Sequence, residues 1–209
     1  MWLKKEMAET YKMERREHLE KLMQKALSIG ASDAKAIRSD DILVEEKLAK
    51  LCIEPRCSNY GLSSSCPPYV SGPSGFRKLK DKLKNAIVVR VIVPSDVLLS
   101  NESRELWRFL HELVAQIEQE AIGMGYINSI AFAGGSCKQI FCQEHSDCQK
   151  ISGNGKCRHP QYARSSMSGY GINVFALMEA CGWETNLNTQ EVVSNDDSMS
   201  WVAGVVMIG

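Results

Sequence analysis

The sequence lacks the features by which several large classes of proteins are recognised. Its 25 Lys and Arg residues balance 25 Asp and Glu residues, so no net charge favours nucleic acid or an anionic membrane. No apolar run approaches the roughly 20 residues that a membrane-spanning helix needs. Neither a Rossmann glycine fingerprint nor a P-loop is present, which argues against those nucleotide cofactors. The sequence therefore predicts no nucleic acid partner and no membrane partner.

The N-terminal segment also lacks an apolar core of signal-peptide length. Charged residues recur every few positions in MWLKKEMAETYKMERREHLEKLM. We therefore expect a cytoplasmic protein. In a reducing compartment, the eight cysteines are typical of metal ligands or redox thiols, whereas in a secreted protein they would form disulfides.

Hydrophobic periodicity predicts helices that alternate with buried strands around one sheet. Helices are expected over Trp2–Ile29, Phe76–Asn85, Leu106–Ala121 and Gly171–Ala180. Strands are expected over Ala34–Arg38, Ala86–Val93, Tyr126–Ala133 and Trp201–Ile208. The fold class is therefore α+β (mixed α/β), with one central sheet flanked by helices and two cysteine-rich loops.

The length of 209 residues is enough for a domain with a core of its own. We assign residues 1–30 to an N-terminal amphipathic helix, whose apolar stripe includes Leu22, Ala26 and Leu27 and which ends at Gly30. Residues 31–209 are expected to form a single α/β domain that contains both cysteine-rich loops.

A polar, glycine-punctuated loop from Gly134 to Arg164 contains half of the cysteines. They follow the spacing C-x4-C-x5-C-x8-C at Cys137, Cys142, Cys148 and Cys157. A loop this long is uncommon in a compact domain unless something other than an apolar core orders it. Thiolates are soft ligands, and glycine lets the backbone approach a bound group closely. The loop therefore predicts a metal or metal–sulfur site, followed by a turn or helix that starts at Ser165 or Ser166.

A second set of three cysteines lies upstream. Cys52, Cys57 and Cys66 follow the spacing C-x4-C-x8-C and end in Cys-Pro-Pro, with the turn-forming run SNYGLSSS between the last two. Three thiolates would leave one iron of a cubane cluster open to water, substrate or another residue. The remaining Cys181 is either the fourth ligand or a small buried hydrophobe on a helix face. The grouping of cysteines into sites stays open at this stage.

Three kinds of chemistry fit these cysteines. One or two [4Fe-4S] clusters fit thiolates on glycine-rich loops, although the C-x2-C-x2-C run of ferredoxins is absent. Zinc is the alternative cofactor, but structural zinc sites usually have two C-x2–4-C knuckles, and the x5 and x8 gaps do not conform to this pattern. Thiol redox chemistry without a metal is the third possibility. We favour iron–sulfur binding.

A small basic group follows the last cysteine of the loop. It consists of Arg158, His159 and Arg164, which we name as cofactor-binding candidates. Guanidinium groups can stabilise an anionic thiolate cluster, or can hold a carboxylate or phosphate. Salt bridges to the region of Glu144 and Asp147 account for these arginines equally well.

The four histidines carry little signal. His145 and His159 lie in or beside the four-cysteine loop, where either could replace a thiolate ligand, although we favour neighbours of the site or exposed loop residues. His18 and His111 lie on predicted helices without a cysteine nearby in sequence, and the sequence assigns them no role.

Two segments together resemble a known family. They are CSNYGLSSSCPPY at Cys57–Tyr69 and the run from GGSC to CRHPQYARSSMSGYGINVF at Gly134–Phe175. They resemble an uncharacterised cysteine-rich family of predicted metal-binding proteins from anaerobic bacteria and archaea, a domain of unknown function with CPPY and CRHPxxAR motifs. The resemblance extends from Cys52 to Gly182, with one extra serine, Ser166, and does not include Cys181 in the motifs. It implies metal binding, with iron–sulfur expected.

These features give three candidate functions. The first is an iron–sulfur protein for electron transfer or an accessory to an anaerobic enzyme system, with a redox partner protein. The second is an enzyme in which an open iron acts as a Lewis acid while Arg158 or Arg164 holds a small anionic substrate. The third is a zinc-stabilised interaction module. A homo-oligomer formed through the N-terminal helix is a further expectation.

Overall fold

A mixed five-stranded sheet runs through the centre of the described part of the protein. The structure is a computed structural model that describes residues 2–100, 102–153, 155–187 and 198–209. Its strands are β1 Asp33–Arg38, β2 Asn85–Pro94, β3 Ile130–Ala133, β4 Ser165–Ser166 and β5 Met199–Ile208. They lie in the order β1-β2-β5-β3-β4, and all neighbours are antiparallel except β3 and β4. The predicted mixed class is confirmed.

Helices cover both faces of this sheet. They are α1 Trp2–Ser28, α2 Glu46–Lys50, α3 Gly72–Lys82, α4 Ser95–Leu99, α5 Ser103–Gly123, α6 Cys137–Phe141 and α7 Val174–Cys181. Short 3-10 turns occur at Ser39–Asp41 and Ser168–Tyr170. None of the helices in the described ranges is both long and apolar enough to cross a bilayer.

The two faces of the sheet form two separate hydrophobic cores. Successive side chains of a strand point to opposite faces, so Ile87 and Val89 of β2 pack with α1 and α5. Val88 of β2 packs on the other face, with Phe76 of α3 and Leu177 of α7. Each such fully buried side chain contributes about 1.5–3 kcal/mol. Because both faces are covered, β2 is apolar over most of its length, interrupted only by Arg90, which is paired with Asp33, and the sequence predicted it as a strand.

Helix α5 lies directly against β5 because Gly204 leaves room for it. A Cβ atom added at Gly204 would lie 2.5 Å from Cγ1 of Val114, closer than any real contact. Leu110, Leu113 and Ile117 of α5 are fully buried on the same side. The position of α5 is therefore fixed by packing, which matters because this helix also holds the cysteine loop.

Helix α1 is packed mainly through its C-terminal half. Leu22 and Ala26 are buried there, as expected, but Leu27 is 40% exposed and does not belong to the apolar stripe. Gly30 ends the helix with φ +108°, and the Ala31 N–H donates to the Ala26 carbonyl at 3.0 Å. This is the left-handed glycine termination that the sequence predicted.

Several predicted boundaries were wrong for local reasons. Helix α3 begins at Gly72 and ends at Lys82, earlier than Phe76–Asn85, because Pro73 fits the first turn of a helix. Strand β3 begins at Ile130 rather than Tyr126, because Tyr126 closes α5 by donating its N–H to the Ala121 carbonyl at 3.0 Å. Ser165–Ser166 forms β4 rather than opening a turn or helix.

Candidate metal centre

The four-cysteine loop leaves the sheet at the end of β3 and returns to it at β4. A Cβ atom on Gly134 would lie 2.4 Å from a ring carbon of Trp107, so only glycine fits at this exit. The loop then forms α6, with Cys137 as its first residue and Cys142 as its C-cap. The sequence predicted no helix here, because five residues are too few to produce a periodic apolar pattern.

The four cysteines of this loop lie around one cavity of about 190 Å³. They are Cys137, Cys142, Cys148 and Cys157. Cys137 is buried and the other three are partly buried. The structure thus brings together all four cysteines that the sequence grouped.

The three upstream cysteines lie around a second cavity of about 150 Å³. Cys52, Cys57 and Cys66 line it together with Asn59 and Tyr60 and with residues of the loop exits. Cys66 is buried, whereas Cys57 is exposed. Oδ1 of Asn59 is buried in this region and has no hydrogen-bond partner in the described structure.

The two cavities share a wall. Oγ of Ser65 lies 2.9 Å from Sγ of Cys137, which joins the upstream segment to the four-cysteine set. The thiol of Cys66 donates in turn to Oγ of Ser136 at 3.6 Å, which joins the three-cysteine set to the loop exit. The Ser166 N–H donates to the Ser65 carbonyl at 2.9 Å and anchors this wall to β4. The two cysteine sets are therefore immediate neighbours, which the sequence did not reveal.

Cys181 lies apart from both sets. It ends α7 in the core on the α3 and α7 face of the sheet, where it is almost completely buried. Burial raises the pKa of its thiol to about 12, while the charges of Lys35 and Arg90 act in the opposite direction. This position agrees with the small buried hydrophobe that the sequence allowed.

The thiols of the two sites differ in their electrostatics. Burial raises the pKa of Cys137 to about 11, and hydrogen bonds from Ser65 and Ser63 oppose the shift. Burial, followed by the charges of Cys57 and Cys66, raises the pKa of Cys52. A thiol with a raised pKa is protonated at neutral pH, so metal binding at either site must release protons.

Cys148 is the exception among the loop thiols. Burial acts to raise its pKa, but hydrogen bonds from Ser64, Lys150 and Ile151 outweigh burial and lower the pKa overall. At Cys142, burial and the charge of Cys157 raise the pKa, although Arg158 acts against them. The surroundings of Cys148 therefore favour its thiolate form.

The basic group lies beside the four-cysteine cavity, where Arg158, His159 and Arg164 all line the wall. Arg158 forms an ion pair with Asp147 at 3.3 Å, as the alternative interpretation of the sequence expected. The ring of His159 stacks on Phe141, with 5.4 Å between ring centroids. Its backbone N–H donates to Sγ of Cys157 at 3.4 Å.

Arg164 has a structural partner that the sequence did not indicate. Its guanidinium pairs with Glu118 of α5 at 2.5 Å, and both side chains are nearly buried. The second carboxylate oxygen of Glu118 accepts a hydrogen bond from the Ala131 N–H of β3 at 2.6 Å. Glu118 therefore ties the end of the cysteine loop to the strand that precedes the loop.

His111 of α5, to which the sequence assigned no role, makes a second such tie. Its Nε2 lies 3.0 Å from the Gly134 carbonyl oxygen, and its Nδ1 accepts from the Arg164 N–H at 3.1 Å. These partners assign the proton to Nε2 of a neutral ring. Burial lowers the pKa of His111 to about 4, which keeps it neutral. The sequence signal that could have revealed these two contacts is the presence of His111 and Glu118, seven residues apart, on the otherwise apolar buried stripe of α5.

The residues present suit a thiolate-bound group. Among the described residues, no three side chains of His, Cys, Asp or Glu converge closely enough to hold a single metal ion. The seven thiols surround cavities several times larger than the roughly 30 Å³ share of one water molecule. Thiols that line a cavity form a donor set for soft metal chemistry, and at the four-cysteine cavity the lining also includes cationic side chains and serine hydroxyls.

The fold and the two cysteine sites together define a cysteine-rich metal-binding protein. The family described as "Predicted metal-binding protein (DUF2284)" matches residues 35–208, and the chain belongs to this family. The match begins after α1 and confirms the family expected from the CPPY and CRHPxxAR motifs. The family description does not specify the metal. No curated protein and no solved structure matches the chain.

Proposed function

We propose that the protein is a redox protein that holds two adjacent cysteine-bound iron–sulfur centres and exchanges single electrons with a partner protein. The observation that carries this proposal is the division of seven cysteines into two sets that line neighbouring cavities with a common wall. A single structural zinc ion would need only one such set. Two adjacent sites suit electron transfer better than they suit stabilisation of one loop.

Each set would hold its own group. Cys137, Cys142, Cys148 and Cys157 supply a complete set of four thiolates, the number that [4Fe-4S] centres usually use. The potential of such a centre depends on its ligands, hydrogen bonds, net charge and exposure, all of which this chain supplies differently at its two sites. A reducing cytoplasm fits this function, since all eight cysteines are free thiols.

The test is metal analysis of protein purified under strict exclusion of oxygen. We expect brown protein with iron and acid-labile sulfide in comparable amounts, and loss of colour in air. Cys148→Ala should remove only part of the iron, because the three-cysteine site is separate. Stoichiometric zinc without labile sulfide would overturn the proposal and favour the zinc-stabilised interaction module.

A second candidate function is ligand binding or catalysis at an open position of the three-cysteine site. Three thiolates leave one coordination position, and the buried, unpartnered oxygen of Asn59 lies on the cavity wall. On its other side, Asn59 borders a polar groove of about 380 Å³ that includes Arg104, Gln139 and Gln143. Arg104 is better placed there for a small anionic substrate than Arg158 or Arg164, which are paired elsewhere.

Exogenous ligands separate the two candidates. If the three-cysteine site is open, cyanide should perturb the spectrum of one centre and leave the other unchanged. Formate is the corresponding anionic probe for the groove, and its effect should weaken in Arg104→Gln. If neither probe changes either spectrum, both centres are closed and the electron carrier stands alone.

A further inference from the structure

The two cavities differ sharply in the charges around them. The four-cysteine cavity is lined by Lys138, Lys150, Arg158 and Arg164. The described residues that line the three-cysteine cavity include no Lys or Arg. Two otherwise similar sets of thiols therefore lie in different electrostatic environments.

Lys138 is the unusual member of this basic lining. It is only 9% exposed, and its ammonium group donates to the carbonyl of Cys142 at 2.8 Å and to the carbonyl of His145. It forms no ion pair with any residue in the described ranges, whereas Arg158 and Arg164 have carboxylate partners. A buried charge without a counter-charge is costly. An anionic, thiolate-held group in the adjacent cavity would supply the missing negative charge.

A chain of serine hydroxyls lines the same cavity. Oγ of Ser63 lies 3.0 Å from Oγ of Ser65, which lies 2.9 Å from Sγ of Cys137, and all three residues are buried. When Cys137 binds a metal it has no proton, so the Ser65 hydroxyl must donate to the sulfur. Ser63 then donates to Ser65, and such chains strengthen each bond by polarisation.

We propose that Lys138 and Ser65 raise the reduction potential of the group held by the four-cysteine set. This inference rests on the function proposed above and assigns these two residues as positioning residues. Reduction adds one negative charge, which a buried ammonium and a hydroxyl donor stabilise at the four-cysteine site. The exposed Arg56 lies over the ring of Tyr60 beside the three-cysteine cavity, 5.4 Å from its centroid, but no Lys or Arg is among the described residues that line that cavity. The potential of the three-cysteine centre should therefore not depend on Lys138 or Ser65.

The experiment is an anaerobic titration of the metal-loaded protein with dithionite, followed by electron paramagnetic resonance. Each centre takes up one electron as dithionite is oxidised, and no bond to the protein is made or broken. The signal that survives in Cys57→Ala identifies the four-cysteine centre. The midpoint potential of this signal in wild-type protein is the reference for the variants.

The variants test the named residues. Lys138→Met should lower the equilibrium constant for reduction of the four-cysteine centre by about tenfold, which is a decrease of about 59 mV in its one-electron reduction potential. Lys138→Arg keeps the charge and should retain most of the wild-type potential. Lys150→Met is the matched control, because Lys150 lines the same cavity but is exposed and screened by solvent. Ser65→Ala should shift the same signal downward, without affecting the other signal.

Three results would overturn the inference. They are a shift in Lys138→Met that appears equally in the three-cysteine signal, equal shifts in Lys138→Met and Lys150→Met, or unchanged potentials in both Lys138→Met and Ser65→Ala. In these cases two redox signals still support the proposed function. If the protein instead contains zinc and shows no redox signal, both proposals fail, and the metal analysis reports this separately. If Lys138→Met loses iron from this centre but Lys138→Arg retains it, the charge-compensating role of Lys138 is supported through iron content.

Discussion

Acidification should weaken the protein through His111, because this buried ring cannot easily accept a proton. Its pKa in the folded protein is about 4, whereas the ordinary value in an unfolded chain is 6.5. As the pH falls below 6.5, the unfolded chain binds a proton that the folded protein does not bind. The stability that depends on the neutral His111 ring is therefore fully present above pH 6.5 and decreases as the pH falls toward 4. The sign follows from proton linkage, in which the state that binds more protons is favoured by acid.

The size of the effect follows from the two pKa values. Their difference of about 2.5 units corresponds to about 3 kcal/mol at the low-pH limit, at 1.36 kcal/mol per unit. Only part of this is lost by pH 5, where the same linkage gives about 2 kcal/mol. Such a loss is large compared with the roughly 5–15 kcal/mol stability of ordinary proteins.

The assay is urea denaturation at pH 7 and at pH 5 under anaerobic conditions. His111→Gln should be less stable than wild type at pH 7 by roughly 1–3 kcal/mol, because it loses well-placed hydrogen bonds to the loop ends. Between pH 7 and pH 5, the free energy of unfolding of His111→Gln should fall by about 2 kcal/mol less than that of wild type. Acid effects on the metal sites occur in both proteins and cancel in this comparison.

A matched control is His145→Gln, since His145 is an exposed loop residue. It should show the same decrease between pH 7 and pH 5 as wild type. If the free energy of unfolding falls equally in wild type and His111→Gln on acidification, His111 is not a buried neutral histidine. Its hydrogen bonds to Gly134 and Arg164 at the loop ends would then have to be rejected.

Two further predictions concern the loop and its anchor. Cys148→Ala should remove the four-cysteine centre and make residues 137–157 sensitive to protease, and full metal content in this variant would refute the four-ligand set. Cys181→Ala, in contrast, should keep both metal centres. Glu118→Gln leaves the Arg164 guanidinium nearly buried without its counter-charge and should cost about 3–5 kcal/mol in urea denaturation. Replacement of both partners, with Arg164→Met added, should cost less than Glu118→Gln alone, and an additive loss would contradict their coupling.

The parts of the fold that the sequence predicted well are those that local patterns encode. Strand β2 is rich in β-branched residues and β5 is largely apolar because both faces of the sheet are covered, and α5 shows a regular apolar stripe. Short elements leave no such pattern. Helix α6 has five residues and β4 has two, and both depend on contacts with distant segments.

The candidate site likewise combines features that local sequence patterns encode with features that depend on contacts between distant segments. The spacing of the cysteines suggested two sets, and in the folded protein these sets line two cavities. That the cysteines are metal ligands stays a prediction. The adjacency of the two sets was not predictable, since it depends on contacts such as that between Ser65 and Cys137, which lie 72 positions apart. The role of His111 was missed because it depends on Gly134 and Arg164, which reach it only in the folded protein.

Helix α5 connects the stability of the core to the geometry of the site. Its apolar residues pack against β5, and its two buried polar residues, His111 and Glu118, hold the beginning and the end of the cysteine loop. The loop itself buries little apolar surface, so the core fixes where it starts and ends but not how its middle is arranged. Since metal binding contributes folding free energy wherever thiolates organise a loop, we expect the arrangement of Cys142, Cys148 and Cys157 to depend on ligation. A chain built in this way can keep its sheet intact while the metal-binding loop gains or loses its bound group.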